Sequence, residues 1–108
     1  MNELFGEKLL LIAGPCVIES AEHAWMMAVE LKKIAAEVGV NLVFKASFDK
    51  ANRTSYDSFR GPGLKVGLEI LREIKEKLEL PVLSDVNCVT QVEQAAEGLD
   101  ILQIPAFL

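Results

Sequence analysis

Short, nearly continuous apolar runs alternate along the chain with longer amphipathic segments. The apolar runs cover residues 8–13, 41–47, 81–86 and 101–107. Strands that are covered on both faces, as in parallel sheets, have this pattern, whereas half-exposed strands alternate between apolar and polar residues. The runs therefore predict four parallel strands.

The first amphipathic segment predicts a helix from about residue 21 to residue 38. Ser20 has the side chain of an N-cap residue, and Gly39 suits the left-handed conformation that often ends a helix. Four apolar residues at steps of four, three and four predict its buried stripe: Met27, Leu31, Ile34 and Val38.

Two further helices are predicted at about residues 64–79 and 90–97. The first of them ends before Pro81 and has a regular apolar stripe formed by Leu64, Leu68, Leu71, Ile74 and Leu78. The second has Thr90 and Glu93 at the spacing of a capping box, and Gly98 at the predicted stop.

The resulting order, β-α-β-α-β-α-β, predicts an α/β fold with right-handed crossovers in one partial domain over residues 1–108. The long connection at residues 48–63 is expected to be functional, because long loops in compact domains usually are. The chain stops just after a strand, and four strands alone leave sheet edges unpaired. We therefore expect a piece of a longer chain, with completion of the sheet by a second copy as the alternative.

Composition narrows the classes of function. No apolar run approaches the ~20 residues of a membrane span, and the two cysteines form no disulfide framework, which indicates the cytoplasm. The net charge of −5 argues against nucleic acid. Residues 45–60 nevertheless have a net charge of +2, so the remainder has −7. This distribution favours a small anionic ligand, although an ordinary solvated loop could have the same charges.

Alternation along the strands gathers chemically useful residues at one edge of the predicted sheet. Taken from each strand in turn, these residues are Cys16, Lys45 with Ser47, Asp85, and Gln103. All lie toward the carboxyl ends of parallel strands, where α/β enzymes place their active sites. Other interpretations stay open: a structural Lys45–Asp85 ion pair, a Gln103 that satisfies backbone groups, and a Cys16 that is a small buried residue.

Four segments resemble the 3-deoxy-manno-octulosonate-8-phosphate synthases. They are "IAGPCVIES", "FKASFDKANR", "SFRGPG" and "LQIPAF", in the order of that family and over nearly the whole chain. The related 3-deoxy-arabino-heptulosonate-7-phosphate synthases typically have "KPRTS" where this chain has "KANRTS", so the octulosonate branch is favoured. The resemblance implies a (β/α)8 barrel of about 250 residues, of which this chain would supply the N-terminal half with strands one to four.

The resemblance also implies a reaction and its residues. The family condenses phosphoenolpyruvate with arabinose 5-phosphate and water, releasing phosphate, in lipopolysaccharide precursor synthesis. By this resemblance Lys45 and Asp85 are catalytic, and Arg60 has a structural or secondary role. The residues that would bind or shape the substrates are Ser47, Lys50, Asn52, Arg53, Ser55, Gln103 and Phe107.

Cys16 places the chain with the metal-dependent members of that family. The resemblance implies a divalent cation whose other ligands, a His, a Glu and an Asp, belong to the second half of the barrel. It further implies a homotetramer at full length, and no activity for this piece alone. Asn87 departs from the family, which usually has histidine there. A heptulosonate synthase and a non-catalytic, phosphate-binding half-barrel are the alternatives.

Overall fold

The described part of the chain folds into a parallel four-stranded sheet with three helices. The computed structural model describes residues 6–50 and 60–106. Its elements are β1 Leu10–Ala13, α1 Ala21–Val38, β2 Asn41–Lys45, α2 Leu64–Leu78, β3 Val82–Asp85, α3 Val89–Gly98 and β4 Ile101–Gln103. The strands lie in the order β1-β2-β3-β4, all parallel. The predicted α/β fold is confirmed, and this arrangement matches the N-terminal half of a (β/α)8 barrel.

Four of the predicted site residues, Asn52, Arg53, Ser55 and Phe107, lie outside the described residues. Among the helices that the structure describes, none combines the length and the apolar character needed to cross a membrane.

The two faces of the sheet have different cores. The large cluster lies between the sheet and the helices and includes Phe44, Ala46 and Phe48. A small cluster on the other face contains Val43 and Leu83, with Leu10 and Ile101 packed against them. Because adjacent residues of a strand face opposite ways, Lys45 and Ser47 share the face of Val43. The predicted alternation is confirmed for β2, β3 and β4.

Helix α1 has the predicted ends but a different buried face. The Ser20 hydroxyl accepts the His23 N–H at 3.0 Å, and Gly39 ends the helix at φ 82°. Its buried residues are Ala24, Ala28 and Ala35, while Ile34 and Val38 are 48% and 68% exposed. The predicted stripe is therefore wrong at those two residues, because the small alanine side chains form the face that packs against the sheet.

Helix α2 follows its predicted stripe. Leu68, Leu71 and Ile74 are buried, and the helix stops at Glu79 with φ 54°. Gly67 permits a close approach to the segment after β2, since a Cβ atom at this position would lie 2.3 Å from the Cβ of Phe48. Glycine at this position therefore lets α2 lie close to the start of the long connection at residues 48–63.

Helix α3 begins one residue before the predicted start. Cys88 is its N-cap residue and makes no side-chain capping hydrogen bond, so the predicted capping box of Thr90 and Glu93 is wrong. A different side chain contacts the backbone before the helix: the Gln91 Oε1 atom accepts the Asn87 N–H at 2.9 Å. The helix includes the buried Gly98 and is capped by Leu99.

The segment after β1 contains one extra residue relative to the segment after β2 with which it is aligned. Ala13 aligns with Phe44, but the next aligned pair is Val17 with Ser47, so three residues of one chain segment lie opposite two of the other. Gly14 lies in this bulge, where an added Cβ would be 1.7 Å from the Lys45 carbonyl oxygen. The alternation predicted from Leu10 to Cys16 is therefore wrong beyond Ala13.

Candidate functional site

Three predicted residues end three neighbouring strands. Lys45 is the last residue of β2, Asp85 the last of β3 and Gln103 the last of β4. The Asp85 and Gln103 Cα positions are aligned, and Lys45 is aligned with Leu83, two residues before Asp85. The parallel register therefore brings all three to the carboxyl edge of the sheet, on the face away from the helices.

Two buried polar atoms of the predicted site residues have no hydrogen-bond partner among the described residues. They are the Ser47 Oγ and the Asp85 Oδ1, in side chains that are 0% and 3% exposed. Leaving such a group unpaired costs about 1–3 kcal/mol, and folded proteins usually avoid it. Both atoms are suited to meet a polar ligand at the edge of the sheet.

The structure does not contain the Lys45–Asp85 ion pair that the sequence left open. Within residues 6–50 and 60–106, the ion pairs join other residues, and the hydrogen bond at Asp85 is one that its carbonyl oxygen accepts from the Ser84 hydroxyl at 3.2 Å. Lys45 is half-buried at the strand end. The Lys45 amine is thus not neutralised by the Asp85 carboxylate.

Cys16 and Ser47 are joined by a backbone hydrogen bond. The Ser47 N–H donates to the Cys16 carbonyl at 3.4 Å, and the Ser47 carbonyl accepts the Ile18 N–H at 3.0 Å. Cys16 is exposed. In the part of the chain that the structure describes, no three His, Cys, Asp or Glu residues gather as metal ligands. One thiolate alone does not make a divalent-cation site, so these residues do not form one by themselves.

The long connection at residues 48–63 is held together near its two ends by hydrogen bonds. The residues that make them are Asp49, Lys50 and Arg60, which we call the loop base. The Arg60 guanidinium forms two parallel hydrogen bonds with the Asp49 carboxylate, Nε to Oδ1 at 2.8 Å and Nη2 to Oδ2 at 2.9 Å. The Lys50 N–H donates to the Arg60 carbonyl at 2.6 Å. Arg60 thus connects the two ends of this segment, and the structural or secondary role that the resemblance implies for it stays a prediction.

Asn87 is the residue whose contribution the sequence did not reveal. It follows β3 by two residues, and its Nδ2 donates to the Asp49 carbonyl at 3.0 Å. Its Oδ1 is buried without a partner among the described residues. The only signal in the sequence was the departure from histidine, which marks the position but does not indicate a contact with the loop base.

Comparison with known proteins gives consistent matches. The sequence model of the family described as "DAHP synthetase I family" matches residues 5–108. The 2-dehydro-3-deoxyphosphooctonate aldolase of Desulfatibacillum aliphaticivorans is 62% identical over 108 residues, which are 100% of this chain and 40% of that protein. Proteins of the same name from Citrifermentans bemidjiense and Geobacter sp. strain M21 are 58% and 57% identical over 103 residues, or 95% of this chain and 38% of each relative. The chain spans about two fifths of the length of these relatives.

Proposed function

The chain belongs to the DAHP synthetase I family, and on this premise we propose that it is part of a synthase that condenses phosphoenolpyruvate with arabinose 5-phosphate. Water is the third reactant, and 3-deoxy-manno-octulosonate 8-phosphate and phosphate are the products. The observation that supports this most directly is the gathering of Lys45, Asp85 and Gln103 at one sheet edge, beside the unpartnered hydroxyl of Ser47.

The charges of the proposed reaction suit this edge. Each substrate has a phosphate, phosphoenolpyruvate also has a carboxylate, and attack of its C3 atom on the aldehyde develops negative charge on the aldehyde oxygen. A fixed ammonium group stabilises such charge without reorganising. Lys45, half-buried and unpaired with Asp85, is proposed as this group. Lys50, held at the loop base, is proposed as a phosphate contact.

The remaining described residues are proposed as polar contacts. The Ser47 hydroxyl donates to an oxygen of phosphoenolpyruvate, which removes its unpaired state. The Asp85 Oδ1 atom accepts from a substrate hydroxyl or from the water that adds at C2. Gln103, aligned with Asp85, lines the same side. The contributions of Asn52, Arg53, Ser55 and Phe107 rest on the resemblance alone.

The divalent cation is proposed on Cys16 only. Its thiolate would be one ligand, and the others would have to come from residues that are not among those described here. When bound, such a cation orients or polarises a carbonyl oxygen. Homotetramer formation, a location in the cytoplasm and supply of a lipopolysaccharide precursor complete the proposal, all by resemblance.

The test is a chimera in which this chain replaces the aligned segment of the Desulfatibacillum aliphaticivorans aldolase. We expect phosphate release from phosphoenolpyruvate with arabinose 5-phosphate and little with erythrose 4-phosphate. The unaltered aldolase is the control. Preference for erythrose 4-phosphate would instead support a heptulosonate synthase, which the family description favours as the second candidate.

The isolated 108-residue chain provides the complementary measurement. We expect no phosphate release from it, because the edge of the sheet presents only part of the proposed contacts. Turnover by the isolated chain that depends on arabinose 5-phosphate would contradict the proposal that further residues are required.

A further inference from the structure

A single peptide group links Asp49 to Lys50, and both of its polar atoms are held. Its carbonyl oxygen, that of Asp49, accepts the Asn87 Nδ2 hydrogen bond at 3.0 Å. Its N–H, that of Lys50, donates to the Arg60 carbonyl at 2.6 Å. Rotation of this peptide would break both hydrogen bonds, so its plane is fixed from β3 on one side and from Arg60 on the other.

We propose that Asn87 is a positioning residue that directs the Lys50 side chain toward the carboxyl edge of the sheet. The planar 49–50 peptide fixes the positions of the Lys50 N and Cα atoms, from which the Lys50 side chain leaves the backbone. Asn87 holds that peptide from the strand whose end supplies Asp85. It thereby couples the loop base to β3 and sets where the Lys50 ammonium meets an anion.

Asn87 is itself held in place, as a positioning residue must be. Its N–H donates to the Gln91 Oε1 atom at 2.9 Å, which ties it to the first turn of α3. Its side chain therefore extends from a fixed backbone between β3 and α3. The Phe48 N–H provides a second, separate tie between β3 and the segment after β2, since it donates to the Ser84 hydroxyl at 3.3 Å.

The contact requires a donor at position 87. A carbonyl oxygen only accepts, so the Asn87 atom that faces Asp49 must be the NH2 group. An aspartate has nearly the same shape but, when ionised, no donor, and it would repel the carbonyl. A neutral histidine retains one N–H donor. The series Asn87→His, Asn87→Ala and Asn87→Asp thus separates the hydrogen bond from the packing of the side chain.

The first measurement does not depend on activity. Amide hydrogen exchange is followed by NMR at Lys50, with the Phe48 amide of the same molecule as the reference. We expect Lys50 exchange to accelerate about tenfold in Asn87→Asp, less in Asn87→Ala and least in Asn87→His, because one hydrogen bond of the peptide is lost. The Phe48 amide should keep its rate. Gln94→Glu, the same amide-to-carboxylate change at an exposed residue of α3, is the matched control.

The second measurement rests on the proposed function and uses the chimera described above. Because Lys50 is proposed to bind a phosphate, Asn87→Asp should raise KM for phosphoenolpyruvate about tenfold and change kcat about twofold or less. Asn87→His should recover most of the lost affinity. A purely structural contribution would lower the amount of active protein and leave KM unchanged.

The outcomes separate the two proposals. Lys50 exchange that is unchanged in Asn87→Asp, or equally accelerated in all three variants, would overturn the positioning proposal whatever the activity. Altered exchange with an unchanged KM would overturn the link from Asn87 to substrate binding. A chimera without synthase activity beside an active parent aldolase, together with altered exchange, would refute the proposed function and leave the positioning of Lys50 standing.

Discussion

The two ends of the strands, which form the amino edge and the carboxyl edge of the sheet, differ in whether their polar side chains have hydrogen-bond partners. At the amino edge, both carboxylate oxygens of Asp100 have donors: Lys75 Nζ reaches Oδ1 at 2.9 Å, and the Val82 N–H reaches Oδ2 at 2.9 Å. The Asp100 N–H in turn donates to the Val82 carbonyl at 3.0 Å. At the carboxyl edge, by contrast, side-chain atoms of Ser47, Asp85 and Asn87 are buried without partners among the described residues.

This difference separates stability from function within one small fold. Paired groups at the amino edge contribute to the free energy of folding, whereas the carboxyl-edge groups without a partner among the described residues oppose it and are available to a ligand. Barrel enzymes divide their strands in the same way, with chemistry at the carboxyl ends. Substitutions at the two edges should therefore affect different measurements.

The largest effect is expected at Lys45. In the chimera, Lys45→Met should lower kcat for phosphate release about 10²–10³-fold, because the ammonium that stabilises the developing charge is removed. Methionine retains most of the apolar length of the side chain, so the urea midpoint should change little. Lys65→Met, at an exposed position of α2, is the matched control and should retain full activity. A Lys45→Met enzyme with normal kcat would remove Lys45 from the chemistry.

The second effect concerns stability at the amino edge. Asp100→Ala should lower the free energy of unfolding by about 1–3 kcal/mol, since the Val82 N–H and the Lys75 amine both lose their acceptor. Urea unfolding of the 108-residue chain, followed by circular dichroism, measures this change. Lys75→Ala should cost about 1 kcal/mol or less, because its side chain is 41% exposed in this ion pair. Equal losses in both variants would contradict the importance of the bond to Val82.

The smallest effect is expected at Ser47 and has the opposite sign. Ser47→Ala removes a buried hydroxyl that has no partner among the described residues, so the free energy of unfolding should stay the same or rise by about 1 kcal/mol. The same variant of the chimera should bind phosphoenolpyruvate less tightly. Destabilisation by more than ~1 kcal/mol would show that the hydroxyl is already satisfied in the folded chain, and would weaken the contrast between the edges.

The sequence predicted the elements well because their signals are local. The spacing of Leu68, Leu71 and Ile74 identified the buried face of α2, and Ser20 and Gly39 marked both ends of α1. The buried face of α1 was harder to predict. Its alanines are weakly hydrophobic, so the larger Ile34 and Val38 dominated the pattern although they are exposed.

The placement of the proposed site residues was predicted correctly only where regular alternation holds. Lys45, Asp85 and Gln103 end regular strands, and their common edge follows from parity and parallel pairing. The contact of Asn87 with the Asp49 carbonyl joins residues 38 positions apart, and no periodicity specifies such a bond. The prediction for the Cys16 segment was wrong for a related reason. The bulge there changes which face each following residue occupies, and no unusual composition marks it in the sequence.

The extra residue at the end of β1 makes the Gly14–Cys16 spacer tolerant of a one-residue deletion. Ala13 and Ile18 both pack against the helix-side cluster although they are an odd number of positions apart, which the one-residue slip allows. Removing one spacer residue would abolish the slip and restore regular alternation, with Ile18 still on the side of that cluster and Val17 still opposite Ser47. Homologous segments that lack one residue here would thus keep the same residues inside and outside the core, and would lose only the bulge that contains Gly14.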